Sequence, residues 1–577
     1  MDLQRILILL GLAVTSYLLI LAWNEDYKQG SQPLANIQEI TEPAFNIIPL
    51  SSDLPNNISS NRTNTAATES IVPDIIESEG LTNRNTIGNS LNGLGNQSNN
   101  ISNRTIHVRT DVFDITIDLQ GGDIISGALP KFPAELDTPD TPFVLLDPRN
   151  TYSAQSGLIG RDGTDTAKGR PLFQAVNNSY SMNGNKELIV DLTLPENNGI
   201  TIIKRFTFRQ SDYLLDVEYI VDNQSSKDWQ ASLFTQIKRD SQDAIMSDSA
   251  GMGMQPYTGG ATFQEESPYT KLTFDDIEDD IYKAKIEGGY IALVQHYFVS
   301  AWIPKSDLSY NYQARKLKNQ DIYLFGLTGP TWAIAPGERK NIVTQFYMGP
   351  KDQVKLEEIS PGLDLTVDYG FLWWLAKPLF SLLTFIHAYV NNWGVAIICL
   401  TIIVKSLLFP LSAASFRSMA KMRKLQPEMA RLKERFGDDK QKFSQAMMEL
   451  YKKEGANPLG GCLPMLAQMP VFLALYWALM ESVELRQAPF FLWIYDLSAM
   501  DPYFVLPILM GISMYLTQMM QPEPPDPVQA KVFKLMPIMF TFFFLWFPSG
   551  LVLYWLINNL LSILQQTYVT RQLDKAS

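Results

Sequence analysis

The carboxy-terminal part of this 577-residue chain carries five apolar stretches, each close to the length that a membrane-spanning helix needs. A helix rises about 1.5 Å per residue, so about 20 apolar residues cross a hydrocarbon core about 30 Å thick. Lipid offers no hydrogen bonds, so spanning backbone must pair within itself. The stretches therefore predict a polytopic α-helical membrane protein. The predicted spans cover about residues 393–411, 462–483, 502–520, 534–548 and 550–570.

A large acidic region precedes these spans. Residues 24–370 hold 28 Lys and Arg against 46 Asp and Glu, whereas the rest of the chain holds 19 against 14. Both cysteines, Cys399 and Cys462, lie in apolar segments, so disulfides do not stabilise the acidic region. The composition therefore predicts an acidic polar region joined to a slightly basic membrane body.

The first segment of the chain is a further candidate span. Residues 5–23 are almost entirely apolar, and no small-residue cleavage pattern follows them. A cleaved signal peptide is the alternative, but the apolar run is long for one. We predict an uncleaved transmembrane anchor over residues 1–24, followed by a disordered tether over residues 25–105 that is rich in Asn, Ser and Thr.

Residues 106–365 show the alternation of a β domain. Val112, Ile115 and Ile117 are separated by polar residues, and a Gly121-Gly122 turn follows. Similar runs bounded by Gly, Asn and Pro recur up to about residue 350, which predicts one large antiparallel β sandwich. No catalytic or metal-ligand constellation is evident, and the acidic run 275–280 is predicted to be a solvated loop. We therefore predict neither an enzyme nor a cofactor.

The segment 366–390 is predicted to be an amphipathic helix on the outer membrane surface. It carries Trp373, Trp374 and Lys377 beside a mid-segment Pro378. Interfacial aromatic residues with scattered polar groups suit a helix that lies along the membrane better than one that crosses it.

Loop charges set the predicted orientation. The loop 412–460, between the first two of the five spans, holds 11 Lys and Arg against 6 acidic residues, which predicts a cytoplasmic location. Counting crossings from this loop gives six spans with both termini in the cytoplasm. The β domain then faces the periplasm, and the tail 571–577 faces the cytoplasm.

The basic loop 412–460 is predicted to be a helical hairpin, with Gly437 ending one helix and Asp438 capping the next. Apolar residues recur at helical spacing on both arms. They either pack on each other or bind apolar client segments, since methionine suits both roles. The methionines singled out here are Met419, Met422, Met429, Met447 and Met448.

Lys405 lies inside the span 393–411, about 18 Å along a helix from Trp393. A charge at the bilayer centre costs about 2.5–3.5 kcal/mol on insertion scales, and less near the interface. The side chain either snorkels to the cytoplasmic headgroups or occupies a polar recess with partners.

Polar residues in other spans favour the recess. They either form ordinary interhelical hydrogen bonds or line, with the cation, a groove open to the cytoplasm. A small-molecule or ion transporter is the rival class, but we find neither inverted repeats nor a nucleotide-binding GxxxxGK[ST] motif. The predicted groove residues are Lys405, Thr401, Gln468, Ser513, Thr517, Tyr554, Asn558 and Ser562.

Several motifs resemble the YidC membrane protein insertases of Gram-negative bacteria. The resemblance covers about residues 369–570 and is carried by "NPLGGCLPMLAQMPVFLALY" and "FFFLWFPSGLVLYWLINNL". The stretch "TDVFDITIDLQGGDI" is similar to the start of the family's periplasmic domain. The tether is the part that the resemblance does not cover.

The resemblance implies an inner-membrane insertase and chaperone that acts alone or with the Sec translocon. It implies a five-helix core over 391–570 with a hydrophilic groove, and a periplasmic β-supersandwich without an established enzymatic role. The implied partners are nascent integral membrane proteins, membrane lipids and the Sec translocon, together with the ribosome and targeting receptor at the hairpin. Nucleic-acid sequence recognition is not implied.

Two positions depart from the family pattern. Lys405 stands where the family has Arg, so the charge is kept and the bidentate fork is lost. Tyr554 and Trp555 stand where the family has two tyrosines. The resemblance thus adds Trp555 to the groove residues.

Overall fold

The computed structural model describes residues 104–242, 256–436, 439–454, 463–521 and 527–576. The predicted anchor 1–24 and nearly all of the tether 25–105 lie outside the described residues, as do Gly437, Asp438 and Cys462. The described chain falls into two compact units, one built from residues up to Val367 and the other from Asp368 onward. The predicted fold class is confirmed: the first unit is a β sandwich and the second is helical.

The first unit contains two large sheets, antiparallel except for the pairing of β1 with β7. One sheet has the order β14 (Tyr282–Glu287), β17 (Ser309–Lys316), β18 (Tyr323–Ile334), β11 (Trp229–Arg239), β5 (Ser153–Ile159), β3 (Asp123–Pro133), β2 (Asp114–Asp118), β1 (Thr105–Arg109) and β7 (Ser179–Ser181), with β4 (Pro142–Leu146) also on β3. The other has the order β13 (Thr270–Leu272), β12 (Gly259–Thr262), β15 (Ile291–Val294), β16 (Phe298–Ile303), β19 (Arg339–Pro350), β10 (Leu214–Asn223), β9 (Ile200–Arg209), β8 (Glu187–Thr193) and β6 (Gln174–Ala175).

Strict alternation explains why these segments are strands. In β9 the inward positions are Ile202, Lys204, Phe206 and Phe208, while the residues that alternate with them are partly exposed. The predicted turn between β2 and β3 is confirmed, because Gly121 and Gly122 have φ values of 84° and 64°. That left-handed backbone favours glycine.

A buried group of charges lies inside this sandwich, and we call it the interior ion cluster: Asp123, Asp165, Arg170 and Lys204. Arg170 pairs with Asp123 at 2.5 Å and with Asp165 at 2.7 Å. Lys204 lies on β9 in the opposite sheet and donates to the carbonyl oxygens of Gly121 at 3.0 Å and Ser156 at 3.2 Å. Burial lowers the pKa of Lys204 to about 7. The cluster thus joins the two sheets through charged groups.

Two short helices accompany the sheets: α1 (Phe274–Asp279) and α2 (Gln353–Ile359). The prediction of a loop at 275–280 is wrong, because α1 occupies it. Thr273 caps this helix by accepting from the backbone N–H of Asp276, and the acidic first turn favours the helix dipole. Glu278 pairs with Lys316 at 2.7 Å. Among the described residues, no group of three or more His, Cys, Asp or Glu could hold a metal ion.

The second unit is helical. Its helices are α3 (Trp373–Val390), α4 (Trp393–Leu407), α5 (Phe409–Lys424), α6 (Gln426–Phe436), α7 (Lys440–Lys453), α8 (Leu463–Glu481), α9 (Val505–Met519), α10 (Pro527–Phe543) and α11 (Ser549–Ala576). The helical segment Gly370–Val390 is long and apolar enough to cross a membrane. The predicted surface position of 366–390 therefore stays a prediction, since length and composition also permit a span.

The span predicted at 393–411 is shorter than expected. Helix α4 ends at Leu407, and α5 continues at an angle of 66°. Pro410 stands in the first turn of α5 and has no N–H to donate to the carbonyl of Ser406. The helix therefore breaks within the predicted span, and α4 and α5 pass the length and composition test only as a bent pair.

In the hairpin, α6 and α7 pack on each other. The predicted cap at Asp438 is wrong by one residue, because Asp439 accepts from the backbone N–H groups of Gln441 and Lys442. The pairing is apolar and includes the buried Met447, Leu425 and Tyr451. The arms are therefore held together by side chains that point away from their charged faces.

Candidate functional site

Helix α11 positions the predicted site, because polar residues recur along it at three- and four-residue steps. Asn558, Ser562 and Gln565 lie on one face, and Asn559 and Gln566 lie on the adjacent face. The helix packs between α9 on one side and α4 and α5 on the other. Each polar face therefore meets a different neighbour.

The first face surrounds the cation. The ammonium nitrogen of Lys405 donates to Ser562 Oγ at 2.8 Å and to Gln468 Oε1 at 3.3 Å. The Gln468 amide in turn donates to the side-chain oxygen of Asn558. Helices α4, α8 and α11 each supply a member, and we call Lys405, Gln468, Asn558 and Ser562 the lysine cluster.

Lys405 is only 5% exposed, and its hydrogen-bond partners are neutral. In the part of the chain that the structure describes, no carboxylate pairs with it. A lysine has three N–H donors, and two of them are occupied here. The lysine cluster is therefore a buried positive charge with one N–H donor that has no partner among the described residues.

The second face of α11 forms a separate network. Asn559 donates to Ser513 Oγ at 3.1 Å, and Ser513 donates to the Met510 carbonyl at 2.6 Å. Thr517 donates to the Ser513 carbonyl at 2.9 Å, and Gln566 donates to the Met520 carbonyl at 3.1 Å. We call these residues the α9 network. The hydrogen bonds of the α9 network among the described residues do not reach the lysine cluster, so the single groove predicted from the sequence contains two polar groups.

The remaining groove residues have different surroundings. Thr401 is buried and donates to the Ile397 carbonyl of its own helix at 2.6 Å. Tyr554 is buried, with its ring 6.4 Å from that of Phe472. Trp555 meets the Phe472 ring edge-on at 4.4 Å. Tyr554 and Trp555 therefore form an aromatic wall with Phe472, and Tyr554 also forms a side-chain hydrogen bond with Gln468 of the lysine cluster.

The end of the helical unit at which α4 begins is closed by the loop between α8 and α9. Asp501 is fully buried, and its carboxylate accepts from the Leu506 backbone N–H at 2.7 Å and from Trp493 Nε1 at 3.0 Å. Asn392, at the start of α4, donates to the Phe490 carbonyl at 3.2 Å. Lys405 lies near the other end of α4, about 20 Å from Asn392 by helical rise.

The hairpin methionines divide by environment. Met419 packs with Phe416 and Val569, so it joins α5 to α11. Met422, Met429 and Met447 pack in the hairpin core, and Met448 is 39% exposed. Of the five, Met448 presents the most open side chain for a client, and the others serve packing in this structure.

Two features escaped the sequence reasoning. The interior ion cluster was missed, although Lys204 occupies a position of β9 where the alternation demands an inward side chain. The contact of Gln565 with the backbone of Lys405, at 3.3 Å, was also missed. The sequence signal for that contact is Pro410, which breaks the helix and leaves carbonyl groups without their usual donors.

Comparison with known proteins follows the two units. The family model described as YidC periplasmic domain matches residues 105–382, and the model described as 60Kd inner membrane protein matches residues 385–576. A crystal structure of active YidC insertase covers 80% of this chain and 92% of its own at 18% identity. Its TM-score of 0.37 is too low to support an argument.

Curated relatives named membrane protein insertase YidC match over the full length. Those of Pseudomonas entomophila and Stutzerimonas stutzeri are 48% and 49% identical, and each alignment covers 100% of this chain and 99% of the relative. That of Cellvibrio japonicus is 57% identical over 82% of this chain and 85% of the relative. The resemblance seen in the sequence is confirmed, and the chain belongs to the YidC family of membrane protein insertases.

Proposed function

We propose that this insertase receives the acidic or polar segment of a nascent integral membrane protein at the lysine cluster. The observation that carries the proposal is a buried cation with neutral partners. Ser562 and Gln468 hold the Lys405 ammonium without neutralising it. A carboxylate of the client would complete the pair and take up the remaining donor.

The lysine cluster also lowers the barrier for the client. Moving a polar segment into bare lipid leaves its hydrogen-bonding groups unsatisfied, which costs several kcal/mol for each group. The amide and hydroxyl groups of Gln468, Asn558 and Ser562 offer replacement partners inside the bilayer. Because the chain has no nucleotide-binding motif, hydrophobic partitioning and the membrane potential would supply the driving force.

Apolar outward surfaces suit the second stage, in which the client helix moves into lipid. Helix α9 exposes Ile508 and Ile512, and α10 exposes Leu535, Ile538 and Phe542. These side chains present an apolar face to lipid or to a passing helix. The client's apolar segment can therefore partition along α9 and α10 while its polar segment stays at the lysine cluster.

The chain is an inner-membrane protein of its family, and we propose its finer topology from the loop charges. The basic hairpin and both termini lie in the cytoplasm, with six crossings in all, and the β domain lies in the periplasm. We also propose that the Sec translocon assists the core. The ribosome and targeting receptor are proposed to contact the hairpin.

A transporter function gains no support from the comparisons, because the full-length relatives are named insertases. Lack of catalytic activity remains part of the proposal. It agrees with a family named for insertion and with a β domain in which Arg170 pairs with both Asp123 and Asp165.

The decisive experiment measures insertion of a single-span client with an acidic periplasmic tail into vesicles that carry Lys405 variants at equal protein levels. We expect Lys405→Arg to retain insertion, and Lys405→Ala to lose about tenfold, which corresponds to about 1.4 kcal/mol. Lys405→Glu should abolish insertion. Lys421→Ala is the matched control, since Lys421 is an exposed lysine on α5. Normal insertion by Lys405→Ala would refute the proposal.

A further inference from the structure

We propose that Gln565 is a positioning residue that holds the joint between α4 and α5 and thereby sets the place of the Lys405 ammonium. This inference rests on the proposed function of the lysine cluster. It starts from the break after Leu407, where α5 departs at 66°.

The break changes the hydrogen bonding of the Lys405 carbonyl. In a continuous helix, the backbone N–H of Phe409 would donate to this oxygen. Here the chain turns at Leu408, whose N–H donates to the carbonyl oxygens of Val404 and Ser406. The Lys405 carbonyl instead accepts from Gln565 Nε2 at 3.3 Å. A side chain of α11 therefore replaces the donor that the broken helix does not supply.

Gln565 and Ser562 hold Lys405 at its two ends. Ser562 Oγ accepts from the ammonium at 2.8 Å, and Gln565, three residues later on the same face, donates to the backbone carbonyl. A step of three residues along a helix corresponds to about 4.5 Å. Together the two contacts fix the backbone of Lys405 and the position of its ammonium group.

The other half of the Gln565 amide makes this residue a costly choice for packing alone. Its Oε1 atom is buried and has no hydrogen-bond partner among the described residues. An unsatisfied buried acceptor opposes folding, so an apolar side chain of similar size would suit plain packing better. What distinguishes Gln565 from other buried amides is its donation to the Lys405 carbonyl.

The adjacent Gln566 is a matched control within the same helix. Like Gln565, it donates through Nε2 to a backbone carbonyl and has a buried Oε1 atom without a partner among the described residues. Its partner is Met520 beyond α9, so it holds the other side of α11. Loss of Gln566 removes the same chemistry without touching Lys405.

The test compares clients that differ only in charge. Insertion is measured for an acidic-tailed client and for the same client with Asp replaced by Asn, and the ratio of the two reports the positive field at the lysine cluster. We expect Gln565→Leu and Gln565→Met to lower this ratio several-fold, toward the value of Lys405→Ala. Gln566→Leu should leave the ratio unchanged. The double variant Gln565→Leu/Lys405→Ala should have a ratio no lower than that of Lys405→Ala alone.

A second readout follows the joint itself. Spin labels at Ile403→Cys and Ala414→Cys, two exposed positions on α4 and α5, report the distance across the bend in a background without Cys399 and Cys462. We expect Gln565→Leu to broaden the distance distribution and Gln566→Leu to preserve it. An unchanged distribution together with an unchanged ratio in Gln565→Leu overturns the inference and leaves the proposed function standing. If Lys405→Ala itself keeps the wild-type ratio, the proposed function fails, and the spin-label distances alone decide whether Gln565 holds the joint.

Discussion

The two units bury cations in opposite ways. In the β domain, Arg170 contacts two carboxylates, and Lys204 lies in the same interior cluster. In the helical unit, Lys405 is buried to a similar extent but contacts only an amide oxygen and a hydroxyl. The first arrangement pairs its cation with carboxylates, whereas the second carries a net positive charge.

The difference distinguishes a buried charge that stabilises the fold from one that could bind a client. A buried ion loses its hydration, and a fixed partner of opposite sign offsets much of that loss. The interior ion cluster has such partners and therefore holds two sheets together. Lys405 lacks one among the described residues, so the compensation must come from polar neighbours and from whatever enters the groove. Four predictions follow, from the largest expected effect to the smallest.

Breaking the balanced cluster should have the largest effect. Arg170→Met leaves two buried carboxylates without their partner, which we expect to lower the free energy of unfolding of the β domain by about 3–5 kcal/mol. Hydrogen exchange of the β3 and β5 peptides in the full chain measures it. Arg205→Met is the control, because its pair with Asp191 is about one-third exposed and should contribute about 0–1 kcal/mol. Equal losses in both variants would contradict the comparison.

Giving Lys405 a permanent partner should make the helical unit resemble the β domain. Ser562 Oγ lies 2.8 Å from the ammonium, so Ser562→Asp places a carboxylate beside the cation. We expect insertion of an acidic-tailed client to fall about tenfold, equivalent to about 1.4 kcal/mol, while the protein level stays normal. Ser562→Asn supplies the steric control and should insert nearly as well as wild type. Unchanged insertion by Ser562→Asp would show that the free charge is not used.

The free energy of unfolding of the β domain should change with pH because of the ionisation of Lys204. Its pKa is about 7 in the folded chain and near 10.5 when unfolded, so between these values the unfolded chain binds more protons. The free energy of unfolding should therefore rise with pH across this window, by about 1 kcal/mol per pH unit. Chemical unfolding at several pH values, followed by hydrogen exchange of β9, measures the slope. Lys204→Met should flatten it, and Lys283→Met, at an exposed lysine of β14, should not.

Substitutions in the α9 network should have little effect on insertion. Ser513→Ala removes the acceptor of Asn559, a neutral hydrogen bond that contributes about 1 kcal/mol to the stability of the α9–α11 contact. We expect insertion of the acidic-tailed client to change less than twofold, because this contact lies on the side of α11 away from Lys405. A loss as large as that of Lys405→Ala would show that both polar faces belong to one groove.

Much of the fold could be read from local pattern. Alternation in β9 and the Gly121-Gly122 turn predicted a sandwich, and the apolar stretches predicted the helical unit. Helix ends were less certain: α10 runs from Pro527 to Phe543, several residues earlier than the predicted span. The first residues of α10 are polar, which lowers the average hydropathy there without preventing a helix. A prediction from hydropathy therefore placed the start of this helix too late in the sequence.

The sequence predicted which residues belong to the site but not which of them contact one another. Sequence spacing placed Asn558 and Ser562 on one face of a helix, and Lys405 was conspicuous as a cation in an apolar run. Spacing could not say that Ser513 contacts Asn559 on the adjacent face of α11, since this depends on which helices pack on either side.

The sequence by itself determined the class of protein, the apolar stretches, the basic hairpin and the presence of a cation within one of those stretches. Those properties follow from hydropathy, charge and periodicity, which are local. Only the tertiary structure decided that Lys405 has neutral partners while Arg170 has carboxylates, and that Gln565 takes over a carbonyl at a broken helix. Such pairings join residues far apart in the chain, and local pattern carries no information about which distant side chain arrives there.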